Sequence, residues 1–164
     1  MTGLYAGKVD FNPSSKVDYR LPNVTSGSDG FVTKLSSGGA LKWATALGGA
    51  YIRDLTIDAA GSVYLTGSFS QTFVPGFGLP SVNSNGRSDV FVTKLSTTGS
   101  VIWATAFGGT SDDDSNGIAV DGAGTVYVVG TYRSTVDFDP DAVGTYELSN
   151  ASWSDSYLLK LRQQ

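Results

Sequence analysis

Apolar positions in this chain come in short runs of five to eight residues, alternating with polar ones or built from β-branched and aromatic side chains. The clearest are Val101–Phe107, Gly117–Asp121, Thr125–Tyr132 and Asp155–Leu161. Turn signals separate them: Thr97-Thr98-Gly99, Gly108-Gly109 and Asp121-Gly122-Ala123-Gly124, and Gly48-Gly49, like Gly108-Gly109, is expected to follow a strand and lead into a loop. The pattern predicts antiparallel strands joined by tight turns.

These segments recur. Phe31-Val32-Thr33-Lys34-Leu35-Ser36 returns as Phe91-Val92-Thr93-Lys94-Leu95-Ser96, and Trp43-Ala44-Thr45-Ala46 as Trp103-Ala104-Thr105-Ala106. Val63-Tyr64-Leu65-Thr66-Gly67 returns as Val126-Tyr127-Val128-Val129-Gly130. The offset is 60 from Phe31 to Phe91 but 63 from Asp58 to Asp121, so three residues are inserted at Thr110–Asp114 relative to Ala50–Ile52. Ser154–Leu161 begins a third copy, and Val9-Asp10-Phe11-Asn12-Pro13 answers Val136-Asp137-Phe138-Asp139-Pro140. Four such strands repeated in tandem describe the blades of a β-propeller. The expected division is 1–49 as a partial blade, 50–109 as a complete blade and 110–164 as a second partial blade.

Composition fits an all-β chain. It has 21 glycines and 12% aromatics but one methionine and one glutamate (Glu147), little of what helices favour. A net charge of −4, with no Lys/Arg cluster, argues against a nucleic-acid surface, and no apolar run is long enough to span a bilayer. The chain has no cysteine, hence no disulfide or thiol chemistry, and no histidine, the usual zinc ligand and general base near neutral pH. The first residues, Met1–Tyr5, lack the basic and apolar regions of a signal peptide.

The pattern Asp-x-Phe-Val-x-Lys-Leu, then Trp-Ala and Gly-Gly, then Ile-Ala-Val-Asp-x-x-Gly-x-Val-Tyr-Val-x-Gly resembles the bacterial β-propeller repeat family abbreviated SBBP. The resemblance implies tandem blades in extracellular or cell-surface proteins, mostly without a known ligand. Analogy with quinoprotein-type blades makes Ile118–Asp121 innermost, Val126–Thr131 second, Phe91–Leu95 third and Val101–Ala106 outermost. The chain would then hold about two and a half blades, too few to close a ring. Completion is expected from other copies, as a homo-oligomer with a dimer favoured, or from neighbouring blades of a longer chain.

Candidate chemistry is sparse. Asp112, Asp114 and Asn116 alternate and end in Gly117, as in the first half of a calcium loop, but position 12 would be Ala123 in place of the bidentate glutamate. A solvated acidic turn is the simpler reading, and no cofactor is otherwise expected. Asp137, Asp139 and Asp141, echoed by Asp10 and Asn12, read as a polar outer hairpin. Asp58 and Asp121 read as turn-capping residues rather than catalytic carboxylates. Trp43 and Trp103, at one repeat position, are expected to pack between blades. Trp153, Tyr51 and Arg53 have no counterpart in the other copies and are the candidate ligand contacts. Asn23-Val24-Thr25 and Asn150-Ala151-Ser152 match the glycosylation pattern. These features predict a non-enzymatic scaffold or interaction module that self-assembles. A carbohydrate-binding propeller is the alternative, and a propeller lyase or hydrolase a distant third.

Overall fold

The computed structural model describes residues 1–14, 16–76, 78–140, 144–150 and 152–162. Among these, every regular element is a strand: β1 (Thr2–Tyr5), β2 (Asp29–Leu35), β3 (Leu41–Ile57), β4 (Val63–Val74), β5 (Val82–Asn83), β6 (Asp89–Leu95), β7 (Val101–Phe107), β8 (Asp114–Val120), β9 (Val126–Tyr132), β10 (Thr135–Asp137), β11 (Glu147–Ser149) and β12 (Asp155–Leu161). These strands pair antiparallel. The order is β1-β2-β3-β4-β6-β7 in one sheet, with β5 on β4, and β12-β9-β8 in a second; β10 and β11 form a hairpin.

The architecture is an open array of propeller blades. The first comprises β1, β2 and the first half of β3. The second is complete: the second half of β3, then β4, β6 and β7. The third comprises β8, β9 and β12. Pairing runs inner to outer in the predicted order.

Two expectations are corrected. Gly48-Gly49 is not a loop, because β3 runs through it from the outermost strand of the first blade into the innermost strand of the second. Only Gly108-Gly109 leads into a loop, where the insertion lies. Nor do Asp114, Ser115 and Asn116 form a turn before the inner strand, since β8 begins at Asp114. Asn116 is an extra residue in a register shift between Ser115 and Gly117, and Arg53 occupies the same bulge in β3.

Two cores lie between blades rather than within them. Val32, Leu47, Leu65, Phe69, Phe73, Phe91 and Leu95 fill the space between the first and second blades. Tyr64, Val90, Val92, Phe107, Val126, Val128 and Tyr157 fill that between the second and third. Alternation on the second blade therefore feeds both cores: on β6, Val90 and Val92 point one way and Phe91 and Leu95 the other. This explains why its third strand reads as a nearly unbroken apolar run. Blades bury their faces only against neighbours.

Candidate functional site

Among the described residues, the buried carboxylates, Asp29, Asp89 and Asp113, lie at the two junctions between blades. At the first, Asp29, at the start of β2, is buried. Its carboxylate accepts hydrogen bonds from Val24 N–H (2.7 Å), Thr25 Oγ1 (2.7 Å) and, where β3 passes on toward the second blade, Gly49 N–H (3.0 Å). Asp89 is the same residue one repeat on, and Gly109 corresponds to Gly49. The bonding has changed. Gly109 N–H donates to Asp113 Oδ2 (2.6 Å), while Asp89 keeps only local amide donors such as Asn85 N–H (2.9 Å). Its Oδ1 is buried without a hydrogen-bond partner. Asp113 belongs to the inserted segment, so the insertion supplies a second carboxylate that takes the glycine amide from the first.

Asp113 Oδ1 also accepts from Arg133 N–H (3.0 Å), and the Asp113 N–H donates to the Ser88 carbonyl (2.8 Å). Burial pushes both the Asp89 and Asp113 carboxyls above the ordinary carboxylate range against the pull of these amides. The Asp113 charge raises Asp89 further, and Asp112 and Asp114 raise Asp113.

Beside this pair, the calcium-loop candidates diverge. Asp112 faces the guanidinium groups of Arg133 (3.4 Å) and Arg87 (3.8 Å). Asp114 begins β8, and its carbonyl accepts from the Tyr157 hydroxyl (3.3 Å). Asn116 is exposed in its bulge. Among the described residues no group of three or more acidic or histidine side chains could hold a metal ion.

On the inner side, Asp54 ties the second blade to the third by accepting Ile118 N–H at Oδ2 (2.9 Å). Sequence reasoning missed this residue; the only signal was that its counterpart, Gly117, has no side chain to do the same. On the outer side, Trp43 Nε1–H donates to the Thr97 carbonyl (2.9 Å) and Thr45 Oγ1–H to the Gly99 carbonyl (2.6 Å), both in the β6–β7 turn of the next blade. Gly99 has φ +86°, and a Cβ there would lie 2.6 Å from the Trp43 ring, so the turn and the indole fit only through glycine. Trp43 thus packs between blades. Trp103 lies beside the second core, but its Nε1–H is buried and unpartnered. Trp43→Phe is therefore expected to cost about 1 kcal/mol, the net value of a hydrogen bond, and more than Trp103→Phe, whose indole nitrogen gives up no bond within the chain; denaturant melts of the two variants check this.

Other acidic residues close turns. Asp58 Oδ1 accepts Ser62 N–H and its Oδ2 the Tyr64 hydroxyl; Asp121 does the same with Thr125 N–H and Tyr127. Asp10 and Asp137 each accept two amides within their outer hairpins. Asp141, and Ala151 of the second glycosylation pattern, lie outside the described residues.

The candidate contact residues do not form one site. Trp153 is 85% exposed in the segment before β12. Tyr51, 52% exposed on β3, lines a cleft of about 430 Å3 with Thr25, Ser28, Ser70, Gln71 and Thr72. Arg53 is exposed in the β3 bulge.

No family model matches the chain. It is 28% identical over 116 residues to an uncharacterized WD repeat-containing protein of Acanthamoeba polyphaga mimivirus, an alignment covering 65% of this chain and 8% of that protein. The chain therefore spans a small part of the curated relative it matches. An all-β stack of antiparallel blades and a distant WD repeat relative agree on a β-propeller-like repeat architecture.

Proposed function

We propose that the chain is a non-enzymatic interaction module of the bacterial β-propeller repeat type, working at the cell surface or outside it, whose open blades are completed by a second copy. The blades would divide at 49/50 and 109/110. The observation that carries this reading is the outer face of the third blade. Val92 is fully buried because the third blade covers it, whereas its counterpart Leu158 is 69% exposed, with Val129 beside it on the paired strand. An uncovered apolar face of this kind on a repeat unit calls for a neighbour. The unpartnered Trp103 indole supports the same reading. A strand of the second copy added along β12 would offer it a backbone carbonyl, as Thr97 offers one to Trp43. Leu158→Lys should lower the solution mass in light scattering while leaving the strand signal in circular dichroism intact. An unchanged mass would remove this face from the interface.

A second reading, carbohydrate binding, is favoured by the Tyr51 cleft. An exposed ring beside hydroxyl and amide side chains suits the apolar face and the hydroxyls of a sugar. A glycan array should give a signal that Tyr51→Ala abolishes. Signal unchanged by the substitution would exclude the cleft.

A further inference from the structure

The two junctions solve one problem differently, and the second leaves a chemical residue. In the first, a single buried carboxylate serves the glycine amide and the loop amides together. In the second, two carboxylates share that work. Asp89 is 2% exposed and Asp113 fully buried. They flank the same dipeptide: a Cβ on Gly108 would collide with the Asp89 carboxyl, and Gly109 N–H is bonded to Asp113. The strand entry at Ser88 is bonded to the Asp113 amide, which fixes the two side chains on one backbone frame. Two anions buried on one backbone frame repel unless a cation or a proton intervenes.

The surrounding charges do not supply the cation. Arg87 and Arg133 reach Asp112, not the pair, and the contribution of Arg133 to Asp113 is its backbone amide. From the segment before β8 and from its first residue, Asp112 and Asp114 add negative charge. From β12 comes the phenol of Tyr157, itself pushed far above its usual range by burial and then by Asp113 and Asp114. Asp137 and Asp139 line the open polar cleft beside Gly108. Among the described residues, the titratable neighbours other than the two arginines are all acids.

The oxygens are not equivalent. Both oxygens of Asp113 accept backbone amides, which favours its ionised form. Asp89 Oδ2 accepts Asn85 N–H, but Oδ1 accepts nothing. A proton is best placed there.

We propose that Asp89 and Asp113 act as one carboxyl pair that binds a single proton, carried on Asp89 Oδ1, and so tightens the junction between the second and third blades on acidification. The sign follows from linkage. The folded chain holds the proton at a pH where the unfolded chain, with carboxyls near 3.9, has released it. Stability therefore falls as pH rises from the ordinary carboxylate range through the raised value of the pair, and returns on acidification. Asp58 and Asp121 work in a different window. Partial burial raises Asp58, but its amide and phenol donors hold it below the usual range, and the Thr125 amide chiefly does so for Asp121. Their contribution is lost only at lower pH, as each folded value is passed.

The test is a carboxyl-carbon NMR titration of the wild-type chain, paired with denaturant melts at a series of pH values from neutral down to the ordinary carboxylate range. The expected result is a raised midpoint for the Asp89 resonance, and a melting midpoint that increases on acidification more in the wild type than in Asp89→Asn. Asp89→Asn should be at least as stable as wild type at pH 7, since its amide oxygen can take the Asn85 N–H and its NH2 the orphaned position. Asp113→Asn should be destabilised, because an NH2 would face a backbone donor. Ordinary midpoints for both carboxyls, or stabilisation that follows calcium or sodium concentration and not pH, would overturn the proposal. If Asp89→Asn fails to fold, the wild-type titration decides alone.

Discussion

Gly67→Ala is expected to destabilise the chain by about 3–5 kcal/mol, at the top of the range for single substitutions. Gly67 lies on β4 opposite Ile52, at the point where the β3 bulge brings the two backbones together. A Cβ at 67 would overlap the Tyr51 carbonyl oxygen and stand 2.8 Å from the Phe91 ring. Backbone blocks it on one side and a fully buried aromatic, stacked on Phe73 at 4.7 Å, on the other. Neither can yield without disturbing the bulge or the first core. Gly130 shows the same enclosure, by the Asp114 carbonyl and Tyr157. The glycine that ends each Val-Tyr-x-x-Gly segment is thus a requirement of the inner hairpin. A denaturant melt of Gly67→Ala within about 1 kcal/mol of wild type would contradict this packing.

Asp29→Ala should cost a similar amount, about 3–5 kcal/mol, by another mechanism. The substitution leaves the amides of Val24, Thr25 and Gly49 and the Thr25 hydroxyl without their acceptor in a partly buried setting. Each orphaned donor costs about 1–3 kcal/mol where water cannot reach it. The effect should extend across the junction, because Gly49 belongs to the run into the second blade. Hydrogen exchange at the Gly49 amide, compared between wild type and Asp29→Ala, separates junction opening from a purely local loss: protection there should fall with global stability. Asp89→Ala should cost less, because Gly109 N–H has its own acceptor in Asp113.

The repeat made most of this fold legible in the sequence. A strand that contributes to two cores must alternate apolar side chains on both faces, so Phe91-Val92 and its echo at Phe31-Val32 carried the blade pattern. The turn roles of Asp58 and Asp121 were legible for the same reason, since one local hydrogen-bond scheme needs the same residue twice. The continuous β3 was not, because Gly48-Gly49 and Gly108-Gly109 are identical dipeptides, and only the residues C-terminal to them decide whether the chain bends. The insertion was visible as three extra residues, yet its consequence was not. Gly109 chooses between a carboxylate 20 positions before it and one four positions after it, a choice made by three-dimensional geometry. Asp54 escaped notice because it acts on a backbone amide 64 residues away. Trp153, one of the candidate contacts, is exposed, and Tyr51 borders a cleft that no local pattern in the sequence marks.

The proposal that a second copy covers the open blade faces is tested most directly by the solution mass of the purified chain at micromolar concentration. Light scattering coupled to size exclusion should give twice the mass of one chain, with dissociation on dilution following a single equilibrium. A monodisperse particle of one chain mass across the concentration range would contradict it.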